Sequence, residues 1–239
     1  MPLKVINIAA FVIMVFMNYL ANAMPLGGKT TGELSAQYPN LFVPAGITFS
    51  IWGIIYLLLL GFVVLQFREE NRDMVNAMGW LFAFSCILNS LWILAWHYEN
   101  LALSLIIMLL LLLTLIMINY RLTPYEGGVT KAAFGIYLGW ICIATIANVT
   151  AILVSVNWQG WGISNEVWAV VMVLAGTVIT LFILKTYRNP FTGIAVIWAL
   201  AGIMIARWPD HKPILVMAGI SIIAIAVISF IVTFRNLSA

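Results

Sequence analysis

The side chains here that could do chemistry are uncharged. Tryptophan, tyrosine, phenylalanine and asparagine recur at helical spacing inside long apolar runs. Phe49, Trp52 and Tyr56 fall at i, i+3 and i+7, which places them on one helix face. Ser85, Asn89, Trp92 and Trp96 share a second face, and Tyr137, Trp140, Ala144 and Asn148 share a third. Such faces can stack a flat conjugated molecule and offer it a few hydrogen bonds. A carboxamide in lipid needs a partner across a helix interface, so all three faces are expected to turn inward. Asn89 and Asn148 can do so by tying helices together, by lining a pocket, or by both.

Groups for ordinary catalysis are missing from the same runs. No Asp, Glu, Lys, Arg or His lies inside them, and such residues mark proton relays and ion pathways in membranes. His97 and His211 fall at the ends of runs and read as solvated edge residues. No phosphate-binding GxxxxGK[ST] loop is present. Cys86 and Cys142 sit in apolar stretches, which argues against a disulfide framework or a zinc site. No catalytic residue, metal site or required cofactor is expected.

The elements that must position these faces follow from composition. The chain has 239 residues, 64% of them hydrophobic and 8% charged. Soluble domains are about 25% charged, so a water-soluble enzyme, a disordered chain and a nucleic-acid-binding module are excluded. About 20 apolar residues span a bilayer as a helix. Eight segments approach that length: 5–23, 46–67, 77–97, 101–120, 132–156, 168–184, 191–206 and 214–234. The runs are continuous rather than alternating, which excludes membrane strands. The fold class is therefore all-α, a polytopic transmembrane bundle of about eight spans embedded in membrane lipid. The first run is longer than a signal-peptide core and is read as a retained span.

Loop charge sets the orientation. With eight spans, one side carries eight Lys and Arg residues and the other carries three, Lys29, Arg207 and Lys212. Both termini are expected in the cytoplasm and the loop 24–45 outside, in a plasma membrane. Asn18, Phe49, Trp52, Asn89, Trp92 and Asn148 then lie in the outer half of the bilayer. The first five spans are expected to enclose an aromatic cavity with loop 24–45 as its lid. Trp80, Trp158, Trp161, Trp168 and Trp208 read as an interfacial belt.

At the inner faces the sequence resembles the tryptophan-rich sensory protein family, also called the translocator protein or peripheral benzodiazepine receptor family. Three blocks carry the resemblance: Pro44 to Tyr56 with its W-x-x-x-Y, Leu88-Asn89-Ser90-Leu91-Trp92, and Tyr137 to Asn148. Ile136 and Ser85 stand where the family has Pro and Gln. The resemblance covers about residues 1–158, the family's five-helix unit, and leaves 159–239 as three additional transmembrane helices. It implies a pocket for porphyrin or haem-type ligands, sterol-like lipids or benzodiazepine-type drugs, walled by Trp52 and Trp140, with ligand packing on Ala144 and with Asn89, Trp92 and Asn148 as further pocket positions. It also implies a homodimer, the state family members often take. In the additional helices Trp198 is read as packing against a neighbour, and Gly193, Gly202 and Gly219 as close-contact positions.

The leading functional expectation is a sensor or carrier for a hydrophobic aromatic small molecule. Its alternatives are a passive or exchange transporter of a neutral or amphipathic solute, light-dependent porphyrin breakdown, and a structural bundle without ligand.

Overall fold

Backbone polar groups in hydrocarbon must be paired within the chain, and helices do this segment by segment. The computed structural model describes residues 2–24, 26–125 and 128–237, with side chains as far as 234, and among these there is no strand. The helices are α1 (Pro2–Ala23), α2 (Thr31–Ala36), α3 (Ile51–Leu65), α4 (Arg72–Met78), α5 (Leu81–His97), α6 (Leu101–Leu122), α7 (Val129–Ser155), α8 (Asn165–Tyr187), α9 (Phe191–Arg207) and α10 (Lys212–Leu237). All eight expected segments are helical. Six are long and apolar enough to cross a membrane alone. α4 and α5, with the 3-10 turn before them, are apolar enough to span only as a pair, bent by 59°, and α9 is an apolar helix of 17 residues, at the lower limit for spanning.

The bend corrects the expectation of one continuous segment over 77–97. Gly79 adopts φ 55°, ψ −132°, which ends α4 and re-aims the chain into α5. Arg121 Nη1 donates to the Ala77 carbonyl at 2.8 Å and satisfies part of that broken end. The lead-in to α3 also differs from a plain span, because Gly46–Ser50 is a 3-10 turn.

α1, α5, α6, α7 and α3 pack in that order into a closed ring. α9 lies against the outside of α7, and α8 and α10 pack on α9 and on each other. α7 is buried along almost its whole length, as a helix apolar on every side should be. Small residues allow the close α7–α9 contact: a Cβ on Gly139 would collide with the Thr192 carbonyl oxygen, and one on Gly135 with the Asn189 side chain. Gly193 and Gly202 are also close-contact positions, whereas Gly219 faces open space, which corrects that expectation.

Buried amides tie the bundle together. Asn18 Nδ2 donates to Asn89 Oδ1 at 2.7 Å, and Asn89 Nδ2 donates to Tyr137 Oη at 3.0 Å, linking α1, α5 and α7. Asn148 Nδ2 donates to Ser104 Oγ at 3.0 Å between α7 and α6. Asn189 Nδ2 donates to Asn119 Oδ1 at 3.0 Å and to the Lys131 carbonyl at 2.9 Å, so the α8–α9 turn is fastened to α6 and α7. The outer surface is apolar instead: Leu57 is 69% exposed, Phe182 66% and Ile223 66%. An apolar surface of this extent suits acyl chains and not water; the chain is an integral membrane protein.

Candidate functional site

Loop 24–45 reaches across one end of the ring. Its helix α2 begins at a reciprocal cap: Thr30 Oγ1 accepts from the Glu33 N–H at 3.2 Å, and the Thr30 N–H donates to Glu33 Oε2 at 2.7 Å. The Thr30 N–H, and then the Thr30 hydroxyl donating to the same Oε2 at 2.9 Å, hold the Glu33 carboxyl below its ordinary range. Asn40 shapes the next turn by accepting from the Phe42 and Val43 amides at 3.0 and 3.1 Å, and Phe42 is buried as its anchor. Tyr38 Oη donates to Glu99 Oε2 at 3.0 Å; burial, then this carboxylate, raises the phenol's pKa.

α9 holds the far end of the loop and the start of α3. Arg207 Nη2 donates to the Val43 carbonyl at 3.1 Å, the Ala45 N–H donates to the Gly202 carbonyl at 3.0 Å, and Trp198 Nε1 donates to the Thr48 carbonyl at 2.9 Å. Trp198 therefore packs on the lead-in to α3. His97 is buried at the end of α5, which corrects the reading of a solvated edge residue: Gly27 of the loop covers its backbone, and Nδ1 donates to the Ile93 carbonyl at 2.9 Å.

Under this lid lies a cavity of about 40 Å³. Six of the nine residues expected at the site line it: Phe49, Trp52, Trp92, Trp140, Ala144 and Asn148. The other three stand behind the wall. Tyr56 stacks on Trp52 with ring centroids 5.6 Å apart, and Tyr137 meets Trp52 edge-on at 5.9 Å. Asn89 is fully buried, with its carboxamide engaged by Asn18 and Tyr137. Only α3 with its lead-in turn, α5, α7 and the lid line the cavity, rather than five spans; α1 and α6 buttress the wall. Sequence reasoning missed Thr31 and Ser35, whose signal was the Thr30-x-x-Glu33 cap that marks a lid helix, and Pro44, Ile143 and Ala147. Trp96 also lines the cavity, as its shared face with Trp92 implies.

The walls are aromatic and partly unsatisfied. Trp52 meets Trp140 edge-on at 6.2 Å, Phe49 meets Trp140 at 5.8 Å, and Trp92 stacks on Trp96 at 5.7 Å. The indole N–H groups of Trp92 and Trp140 and the hydroxyl of Thr31 are buried and make no hydrogen bond within the protein. A buried donor left so costs about 1–3 kcal/mol. Among the described residues no acidic or basic side chain lines the cavity. Beneath it, Phe62, Phe82 and Phe134 interlock at 4.9–5.9 Å and close the ring. Drug-sized ligands need about 300–1,000 Å³, and the free space here is about 40 Å³, so the rings or the lid must move to admit one.

No curated protein and no solved structure matched the chain. A family model described as TSPO-like protein matches residues 4–231, through all three C-terminal helices. With that match spanning nearly the whole sequence and the tryptophan-walled cavity placed under the lid, the chain belongs to the TSPO-like protein family.

Proposed function

We propose that this protein binds a flat, hydrophobic aromatic molecule of the porphyrin or sterol-like class between α3, α5 and α7, as a membrane sensor or carrier. The observation that carries the reading is the pair of buried indole donors, Trp92 and Trp140, left without partners in the wall of the aromatic cavity. A ligand with acceptor atoms at its edge satisfies them while its ring system stacks on the tryptophans. The lining holds no acid or base, which favours binding over catalysis. The phenylalanine plug below favours a binding pocket over a continuous pathway.

Titration of the solubilised protein with protoporphyrin IX, followed by tryptophan fluorescence, tests this. Saturable quenching is expected. Trp52→Ala and Trp140→Ala should each weaken binding by about 2 kcal/mol, roughly thirtyfold in Kd. The same change at Trp208, which is 74% exposed, should have no effect. Unsaturable quenching, or equal affinity in all three variants, rules the pocket out.

The proposed arrangement places the lid outside and both termini in the cytoplasm of a cell with a plasma membrane of this kind. Cys86 and Cys142 are buried, so an introduced thiol is read on a low background. Cysteine at exposed Ala36 in the lid should react with an impermeant maleimide on intact cells. Cysteine at exposed Asp73, on α4 at the opposite end, should react only after permeabilisation. The reverse pattern inverts the topology.

A further inference from the structure

A second and larger cavity, about 340 Å³, opens at the lid end of the bundle between residues 39–42 of the loop, the end of α7 and the start of α8. It shares no lining residue with the aromatic cavity. We propose that it is a separate ligand site for an uncharged, hydroxyl-rich head group, a sugar ring carried on a lipid.

The polar groups of the lining decide the chemistry. No Asp, Glu, Lys, Arg or His is among them, so a phosphate or an ammonium head would sit there without a counter-charge. The cavity has carboxamides instead, from Asn157, Gln159 and Asn165. A carboxamide donates and accepts at once, which matches neighbouring hydroxyls. Among the described residues the side chains of Asn157 and Asn165 meet no hydrogen-bond partner, and Gln159 uses only its Nε2, on the Asn157 carbonyl at 2.9 Å. Asn40 is excluded from this role because its amide is consumed by the loop turn.

The aromatic groups supply a platform. Trp158 and Trp168 line the cavity with ring centroids 5.0 Å apart. Trp168 Nε1 donates to the Gly160 carbonyl at 2.9 Å, which fixes its ring. The C–H face of a sugar ring is apolar and can lie on such a surface, while its hydroxyls reach the amides. The connection that presents these groups is unusual backbone: Asn157 and Trp161 hold φ 53° and 52°, beside Gly160 and Gly162 at 65° and 78°. Left-handed non-glycine residues persist where surrounding structure holds them, and they concentrate at binding sites.

The position favours a lipid over a free sugar. Trp158, Trp161 and Trp168 cluster in the connection between α7 and α8 and at the start of α8, and tryptophans at the ends of spans form the aromatic belts that meet head groups. Leu153, Val154 and Met172 form the apolar part of the lining on α7 and α8, and a tail can follow these helices into the bilayer.

The test uses the full chain in phosphatidylcholine nanodiscs doped with either glucosyl diacylglycerol or phosphatidylglycerol, with retained lipid counted by native mass spectrometry. One glucosyl lipid per protein should be retained, about tenfold in preference to phosphatidylglycerol. Asn165→Ala should weaken retention, and Leu153→Trp, which fills the cavity, should abolish it. Ala144→Phe, in the other cavity, should leave it unchanged, so failure here is distinct from failure of the aromatic pocket. Equal retention of both lipids, preference for the anionic one, or retention indifferent to both cavity variants overturns the proposal. Binding of free glucose in undoped discs with no glucosyl lipid retained overturns the lipid assignment.

Discussion

Ala144→Phe is expected to abolish protoporphyrin binding while the bundle stays folded. Ala144 lies one turn after Trp140 and one turn before Asn148, and all three line the cavity. The free space is about 40 Å³, far below the roughly 300–1,000 Å³ of a drug-sized site. A benzyl group exceeds it and must push into the region where the ligand's rings would stack. Overpacking of this kind costs about 1–3 kcal/mol, which a polytopic bundle held by several buried amide links should survive. Ala144 is only partly buried, so part of the new ring can also turn aside. Fluorescence titration should show loss of saturable quenching, with a fall of a few degrees in thermal midpoint. Ala144→Gly, which enlarges the space, should bind at least as well as the native protein. Undiminished affinity in the Phe variant would place the ligand elsewhere.

The helices were legible because the lipid demands them. Uninterrupted apolar runs near the length of a bilayer leave few other structures, and their ends fell within a few residues of the observed ones. The break at Gly79 was not legible. Glycine is common in membrane helices, and only the φ of 55° shows that this one ends a helix. α2 could have been found from Thr30 and Glu33, whose three-residue spacing is a capping signature; the run following it is short, and a search for spans passes over it.

The cavity was legible as three stripes but not as a surface. Period alone places Trp52, Trp92 and Trp140 on inward faces, and they line the cavity. It cannot distinguish the side chain that faces the space from the one that supports it. Tyr137 and Trp140 lie on one face of α7, yet Tyr137 Oη is held by Asn89, and Trp140 faces the opening. Asn89 and Asn148 illustrate the same ambiguity. Both tie helices, and only Asn148 also lines the space, because its partner Ser104 comes from α6 beside it rather than from across the ring. The larger cavity had only a turn signal. Asn157, Gly160 and Gly162 are residue types that favour the left-handed backbone turning the chain between α7 and α8, but Trp161 is not, and residue type alone does not show that the turn encloses a space.

Gly202→Leu is expected to release the lid. An added Cβ on Gly202 would collide with the Thr48 side chain in the lead-in to α3, so α9 and that turn must separate. Three hydrogen bonds depend on their contact: Ala45 N–H to the Gly202 carbonyl, Arg207 to the Val43 carbonyl, and Trp198 to the Thr48 carbonyl. At about 1 kcal/mol each, their joint loss lowers the protection of the Ala45 amide by roughly two orders of magnitude in hydrogen exchange. Arg207→Gln, which weakens a single link, should lower it by about tenfold or less. The lid is also held on α5 and the turn after it, where Tyr38 Oη donates to Glu99 and Trp96 Nε1 donates to the Thr31 carbonyl; neither bond involves α9, so exchange within α2 should change little. Because the cavity, at about 40 Å³, is too small for a drug-sized ligand, a looser lid should also speed protoporphyrin association. Unchanged exchange at Ala45 in the Leu variant would mean that α9 merely rests beside the lid, and that the C-terminal helices do not govern access to the aromatic pocket.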